Sequence, residues 1–375
     1  MAAAAGLRGP LSRRVSAGLS RLDGPRREAG VDLARGLAVI GMFAAHLLET
    51  TAFDWSHPAT WTDVVNGRSS ILFATLAGVS LALVTGGTRP FSGERMTYAR
   101  IRIALRAACI WVLGIALVLL GTPVLVILPA YAILFLLALP LLALSPSRLF
   151  AIAATIAVLM PFAVYAIGEW PGWDDELGQG IAQVIGWNYP FLLWAAFVVA
   201  GIAVGRIAFS RPAVAGALAA AGAALAAVGY GVVGQWAQLS QADSLWGVVL
   251  SSGAHSSGIG EAIGSGGTAL ATIGLCALLC VTPLRWVVLP LRAVGAMALT
   301  AYTVQLVVWA ALQPPAGAYG SPLASFRALE PFWPMTLATI AGCTLWTLLV
   351  GRGPLEWLIG RVASVGPPPK VDARA

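Results

Sequence analysis

The sequence predicts an all-α protein: a polytopic integral membrane helix bundle of about ten transmembrane helices, with both termini in the cytoplasm. Three observations predict it. Apolar residues make up 58% of the 375 positions and charged residues only 10%, with a mean hydropathy of +0.83; a soluble domain is usually about 25% charged. The apolar residues gather into stretches of about 20, the length a bilayer demands. Lys and Arg then alternate with those stretches. With the N-terminus inside, all of the 23 Lys and Arg except Arg68 and Arg327 fall in cytoplasmic segments, as positively charged loops are retained on that side.

The elements follow in order. Ten spans are expected near 31–50, 68–86, 104–121, 123–144, 149–168, 189–207, 212–234, 262–282, 293–312 and 331–351. An odd number would break the charge alternation. The Ala- and Arg-rich segment 1–28 reads as a disordered basic cytoplasmic arm. The first apolar run follows that basic region, as a secretory signal would. Asp32 and Arg35 interrupt it and no clear cleavage site follows, so it reads as a retained span. The short turn Gly121–Thr122–Pro123 makes spans three and four an antiparallel pair. Spans six and seven are rich in Gly and Ala; Gly201 and Gly205, four apart, allow close helix approach. RGPLEWLIGRVA, 352–363, has Pro354 at a helix start and predicts a short amphipathic helix along the inner surface. The transmembrane domain is thus 29–363, and 364–375 reads as a disordered cytoplasmic tail.

The formal net charge of +7 would suggest a nucleic-acid partner only if its confinement to one membrane face were ignored. Cys109, Cys276, Cys280 and Cys343 all lie in spans and read as small packing residues, without disulfide or zinc spacing. No Walker pattern, HExxH, GxSxG or glycine loop between strand and helix is present, so soluble nucleotide sites and a metal site are not expected.

The chain has three histidines, and the topology places all of them toward the outer face. His46 lies near the end of span one. His57 lies in DWSHPATW, among belt aromatics. His255 lies in AHSSGIGEAIGS, with Ser256, Ser257 and Glu261 close by. A neutral imidazole can take a proton from a hydroxyl or amine at neutral pH, and Asp54, Asp63 or Glu49 could orient the ring of His57. Polar groups in spans persist when paired, hydrated or functional. Arg35 is the other costly residue, with Asp32 three positions earlier on the same helix face. It reads either as an ion pair at the inner surface or as a phosphate contact. The cluster Arg89, Arg95, Arg100, Arg102 and Arg106 reads as a stop-transfer group or as further anion contacts.

GVDLARGLAVIGMFAAHL (30–47) and NGRSSILFATLAGVSLAL (66–83) resemble the start of the heparan-α-glucosaminide N-acetyltransferase catalytic-domain family, and within it the bacterial YeiB-like membrane proteins. LPAYAILFLLALPLL (128–142), YPFLLWAAFVVAGIAVGR (189–206), HSSGIGEAIGSGGTALATIGLCALL (255–279), RAVGAMALTAYTVQL (292–306) and RGPLEWLIGR (352–361) extend the resemblance over most of the chain. It implies a transmembrane acyltransferase fold that moves an acyl group from cytosolic acyl-CoA to an acceptor on the far side. It implies a histidine in the loop before the second span, matched by His57. The family has an asparagine eleven residues earlier, where this chain has His46.

The expected function is therefore membrane acyl transfer, with acetyl-CoA or another acyl-CoA as co-substrate and no metal. His57, His46, His255 and Asp63 form the candidate catalytic set. Arg35, Asp32, Arg100 and Arg102 form the candidate donor-binding set. The expected partners are the lipid bilayer, an extracytoplasmic sugar or lipid acceptor and a second copy of the chain, with no nucleic acid. The expected place is the inner (cytoplasmic) membrane. A transporter or flippase using the same cavity, and a non-catalytic envelope scaffold, are the rival readings.

Overall fold

A computed structural model describes residues 10–24, 27–51, 53, 54, 56–313 and 321–364. The described residues are helical and contain no strand. In chain order the helices are α1 (Pro10–Leu22), α2 (Ala29–Leu47), α3 (Arg68–Val84), α4 (Gly93–Val118), α5 (Leu128–Ala138) and α6 (Pro146–Gly168). They continue with α7 (Glu176–Ile185), α8 (Phe191–Arg206), α9 (Pro212–Ala227), α10 (Gly234–Leu239), α11 (Leu245–Val249) and α12 (Ile259–Cys280). The last are α13 (Leu289–Ala296), α14 (Ala298–Leu312), α15 (Pro322–Arg327), α16 (Phe332–Leu349) and α17 (Pro354–Val362). Among the described residues, seven helical segments are long and apolar enough to cross a membrane, or eight if α13 and α14 count as one bent span. Two shorter apolar helices, Leu128–Ala143 and Phe191–Arg206, accompany them.

Burial sorts the helices into a centre and a rim. α2, α3, α8 and α12 bury most of their surface, whereas α6, α9 and α16 leave most of theirs outward. That outward surface is as apolar as the interior, which is what lipid contact requires. α3 packs on α8 and α2 packs on α13; α9 packs on α12, which also meets α2 and α3. Glycine makes these approaches possible. A Cβ at Gly201 would overlap the Thr75 carbonyl oxygen, and one at Gly78 would overlap that of Val198. Because both obstacles are backbone, neither can swing aside. Gly201→Leu is therefore expected to cost at least about 1–3 kcal/mol, the range for overpacking. It would be read as a lowered thermal unfolding midpoint in detergent; an unchanged midpoint would show that the two helices can part freely.

Three features depart from the sequence reading. The segment expected as a disordered arm contains α1. Leu11, Val15, Leu19 and Leu22 recur along it at helical spacing, Leu22 is buried, and Gly18 meets the backbone of Leu348 on α16. Asp23 then fixes its end: Oδ1 accepts from the buried Arg292 at 2.7 Å, and Arg292 also donates to the Leu22 carbonyl. Span nine, expected as continuous, breaks by 82° between α13 and α14. Glu356 of α17 explains where the second half starts. Its Oε1 accepts the backbone N–H of Leu299 (2.8 Å) and Thr300 (3.1 Å), and its Oε2 accepts the Thr300 hydroxyl (2.6 Å). The carboxylate thereby satisfies donors that a helix start leaves open. Span seven contains a π-helical turn, Val228–Val233, carrying Tyr230. The tail expected as disordered lies outside the described residues from 365 onward, and the helix expected at 352–363 is present as α17.

Candidate active site

Among the described residues α2 borders three cavities, one at its N-terminal end and two at its C-terminal end; one of the latter, about 370 Å³, lies around Leu47, Glu49 and Arg327. The cavity at the C-terminal end that His46 enters has a volume of about 120 Å³. His46 enters it from the last turn of α2, Asn66 and Ser69 from the turn into α3, Tyr302 from α14, and His255 from the loop before α12. Gly67, at φ +68°, makes the turn that delivers Asn66 and Ser69; positive φ favours glycine there.

His46 sits against aromatic rings. Its ring meets Trp309 edge-on at 6.4 Å, and Trp309 stacks on Phe326 at 4.5 Å. Its Nδ1 is buried without a hydrogen-bond partner. Arg327 closes the helix end behind it: Nε donates to the His46 carbonyl at 3.0 Å and Nη2 to that of Ala45 at 3.3 Å. A cation at a helix C-terminus satisfies its carbonyls and complements its dipole. Arg68, the other arginine that breaks the charge alternation, donates Nε to the Tyr230 hydroxyl at 2.8 Å and Nη1 to the Asp63 carbonyl at 3.1 Å. Both exceptions therefore hold structural posts.

His255 is held differently. It and Ser257 have φ of 61° and 56°, a left-handed region that costs non-glycine residues about 1–3 kcal/mol. Glu261, 5% exposed, compensates. Its two oxygens accept the backbone N–H of His255 and Ser257, each at 2.7 Å. His255 is exposed as a whole residue, and desolvation of its ring at the cavity wall pushes its pKa below the ordinary imidazole value of 6.5. Glu261→Ala is expected to leave those two N–H groups unsatisfied. Each costs about 1–3 kcal/mol, and a misplacement of about 1 Å at His255 can cost on the order of 10² in rate. Activity and thermal midpoint measured on the same preparation check this. Full activity would show that the loop needs no clamp.

The structure does not bring His57 to this pair. Its side chain is 72% exposed, with Nδ1 2.9 Å from Asp54 Oδ2 and 3.0 Å from Ser56 Oγ. Hydrogen bonds from Ser56, then from His57, hold Asp54 below the usual carboxylate range. Asp63 stands one residue removed from the cavity: its Oδ1 accepts the Asn66 amide at 3.1 Å. Eleven residues of sequence spacing fixed neither ring's direction. His46 belongs to a helix, while His57 follows a loop that turns away.

The second cavity, about 880 Å³, opens at the N-terminal end of α2. Asp32, Arg35 and Arg102 line it. Arg100 does not; its Nε donates to the Leu139 carbonyl at 3.0 Å. Arg27, Arg95, Arg106 and Arg352 complete a set of six arginines, set against the carboxylates of Glu28, Asp32 and Glu356. Burial, then the Asp32 charge, raises the Glu28 pKa. Arg35 is largely committed: it donates to Asp32 Oδ1 (3.2 Å), the Gly295 carbonyl (3.0 Å) and Ser80 Oγ (2.9 Å). Arg102 and Arg95 lie over the Tyr98 and Phe91 rings. Sequence reading missed Asn66, Tyr302 and Glu356. The Asn66–Gly67 turn signal could have pointed to the first; nothing local marks the other two.

Residues 27–237 match the family described as heparan-alpha-glucosaminide N-acetyltransferase, catalytic. Residues 210–365 match a protein of unknown function, DUF418. No curated protein matches the chain.

Proposed function

Because the chain belongs to the heparan-alpha-glucosaminide N-acetyltransferase catalytic family and is a multi-pass, acetyltransferase-like membrane protein, we propose that it carries an acetyl group from cytosolic acetyl-CoA to an extracytoplasmic sugar or lipid acceptor. The observation that carries this reading is the pairing of cavities on α2: a wide arginine-rich one at Arg35 and a narrow imidazole-lined one at His46. Arg35 and His46 are eleven residues apart, or roughly 16 Å along a helix. An extended pantetheine arm spans such a distance.

In this reading the anionic end of the donor rests among the arginines, where guanidinium groups favour phosphate. The thioester reaches the narrow cavity. His255 takes the acceptor proton; the acceptor attacks the thioester carbonyl; the carbon–sulfur bond breaks; and the imidazolium returns the proton to the leaving thiolate. His46 supplies a donor to the developing oxyanion. Such a donor is worth about 3 kcal/mol. His57 reaches the cavity only if its loop swings inward.

The proposed layout is ten crossings in the inner membrane, with the bent α13–α14 pair and the two short apolar helices each counted as one and both termini inside. The transmembrane domain is 29–363. A homodimer is compatible with it.

The test is incubation of purified protein with radiolabelled acetyl-CoA and an envelope extract. Label appearing in the extract supports the reading; label remaining wholly on CoA overturns it. The pH profile checks the base. Because desolvation lowers the His255 pKa, the reactive neutral form persists as pH falls through 6.5, so the rate should hold there and decline only below it. A decline centred above 6.5 would remove His255 from the role. The 82° break between α13 and α14 favours a second reading, a transporter, since such folds use broken helices. Vesicle uptake of a labelled solute without acyl product would select it.

A further inference from the structure

The third cavity bordering α2, about 370 Å³, lies where two candidate spans meet the membrane boundary. Leu47 and Leu48 enter it from the end of α2, and Phe332 and Trp333 from the start of α16. That position holds whichever way the chain is oriented. The volume falls in the range of small-molecule sites, about 300–1,000 Å³.

Its chemistry is mixed. Arg327 brings one guanidinium, Glu49 and Glu330 bring two carboxylates, and Trp333 brings an aromatic ring. Nε and Nη2 of Arg327 serve the His46 and Ala45 carbonyls, which leaves Nη1. Among the described residues neither carboxylate belongs to an ion pair, although the Glu49 charge acts on Arg327 through space. Glu330 stands at φ +50°, where glycine is the easy choice, so this side chain is kept there at a backbone cost. Trp333 and Leu337, both exposed, continue the apolar side of the cavity along one face of α16, as residues four apart do.

We infer that this cavity holds the headgroup of a zwitterionic phospholipid, with its phosphate at Arg327, its ammonium at Glu49 and Glu330, and its chains along Trp333 and Leu337. The inference goes beyond the acyl-transfer reading and does not rest on it. A guanidinium favours phosphate. An ammonium gains both carboxylates and the face of the Trp333 ring. The membrane boundary is the level of lipid headgroups, and tryptophan is enriched there. A headgroup with phosphate but no cation would bring its charge to two unpaired carboxylates and one half-used guanidinium, and like charges repel. A soluble cation would leave Arg327 and the apolar face of α16 unused. The headgroup shares Arg327 with the last turn of α2, the turn that carries His46.

The test uses purified full-length protein in a nonionic detergent and counts bound lipid by native mass spectrometry. The probes are phosphatidylethanolamine and phosphatidylglycerol with matched chains. Phosphatidylethanolamine is expected to bind about tenfold tighter, the factor that one charge-assisted contact represents. The double variant Glu49→Gln, Glu330→Gln is expected to bring the two lipids within about threefold of each other, with little change in thermal midpoint because both side chains are exposed. Equal or tighter binding of phosphatidylglycerol to the parent overturns the inference, as does a preference that survives the double variant. Glycerophosphoethanolamine, the same headgroup without chains, separates a lipid from a soluble zwitterion. If it displaces the lipid at equal concentration, the lipid assignment is overturned. No acyl donor is present, so failure here leaves acyl transfer standing, and failure of the radiolabel assay leaves this site standing.

Discussion

His255→Ala is expected to lower acyl transfer by about 10²–10⁴-fold, the contribution of a positioned general base, while helix content and thermal midpoint stay near those of the parent. The reasoning is geometric. His255 lines the narrow cavity, and its loop is fixed by hydrogen bonds from its own backbone N–H and that of Ser257 to Glu261, which the substitution leaves in place. Its ring is not a structural prop. His57→Ala is the control: that ring is largely exposed and tied to Asp54 outside the cavity, so a loss of less than about tenfold is expected, well short of a base's contribution. If His57→Ala instead abolishes transfer and His255→Ala does not, the loop before α3 closes over the cavity during turnover and the base assignment moves to His57.

The second large effect is on the fold. Asp32 is 4% exposed. Its Oδ2 accepts from Arg27 at 2.7 Å and its Oδ1 from Arg35 at 3.2 Å. Arg35 then ties α2 to α3 through Ser80 and to α13 through Gly295. Asp32→Ala leaves that partly buried guanidinium without its bonded counter-charge, with the Glu356 carboxylate acting only through space. Breaking such a pair from one side costs about 3–5 kcal/mol, and a clear fall in the thermal midpoint in detergent should show it. Asp32→Asn keeps the shape and part of the hydrogen bonding and should fall between. An unchanged midpoint for Asp32→Ala would mean that Arg35 is solvated through the wide cavity.

Much of this architecture could be read from the chain because apolar length and basic loops are strong local signals. The spans at α2, α3, α4, α6 and α12 follow from them directly. His46 was visible for the same reason, as a titratable group in a greasy run. What escaped has a common cause. The break at Met297 is set by Glu356, almost sixty residues away, and no proline marks it. The π-helical turn at Tyr230 is fixed through Arg68 and Ser265, which share the Tyr230 hydroxyl. Arg100 and Arg102 stand two residues apart, and helix phase alone sends one to the Leu139 carbonyl and the other to the cavity. α1 carried a readable pattern of leucine and valine, but the surrounding Ala- and Arg-rich composition suggested disorder.

Glu356 has a consequence for how the molecule is made. The ribosome delivers α14 some forty residues before the carboxylate that caps its first turn. Until α17 emerges, the half-helix bearing Tyr302 and Trp309 has nothing to mark its start, and both rings bear on the histidine of the first long helix. The narrow cavity is thus completed only when nearly the whole polypeptide has left the translocation machinery. A product truncated before residue 354 would insert most of its helices and still lack a finished chamber.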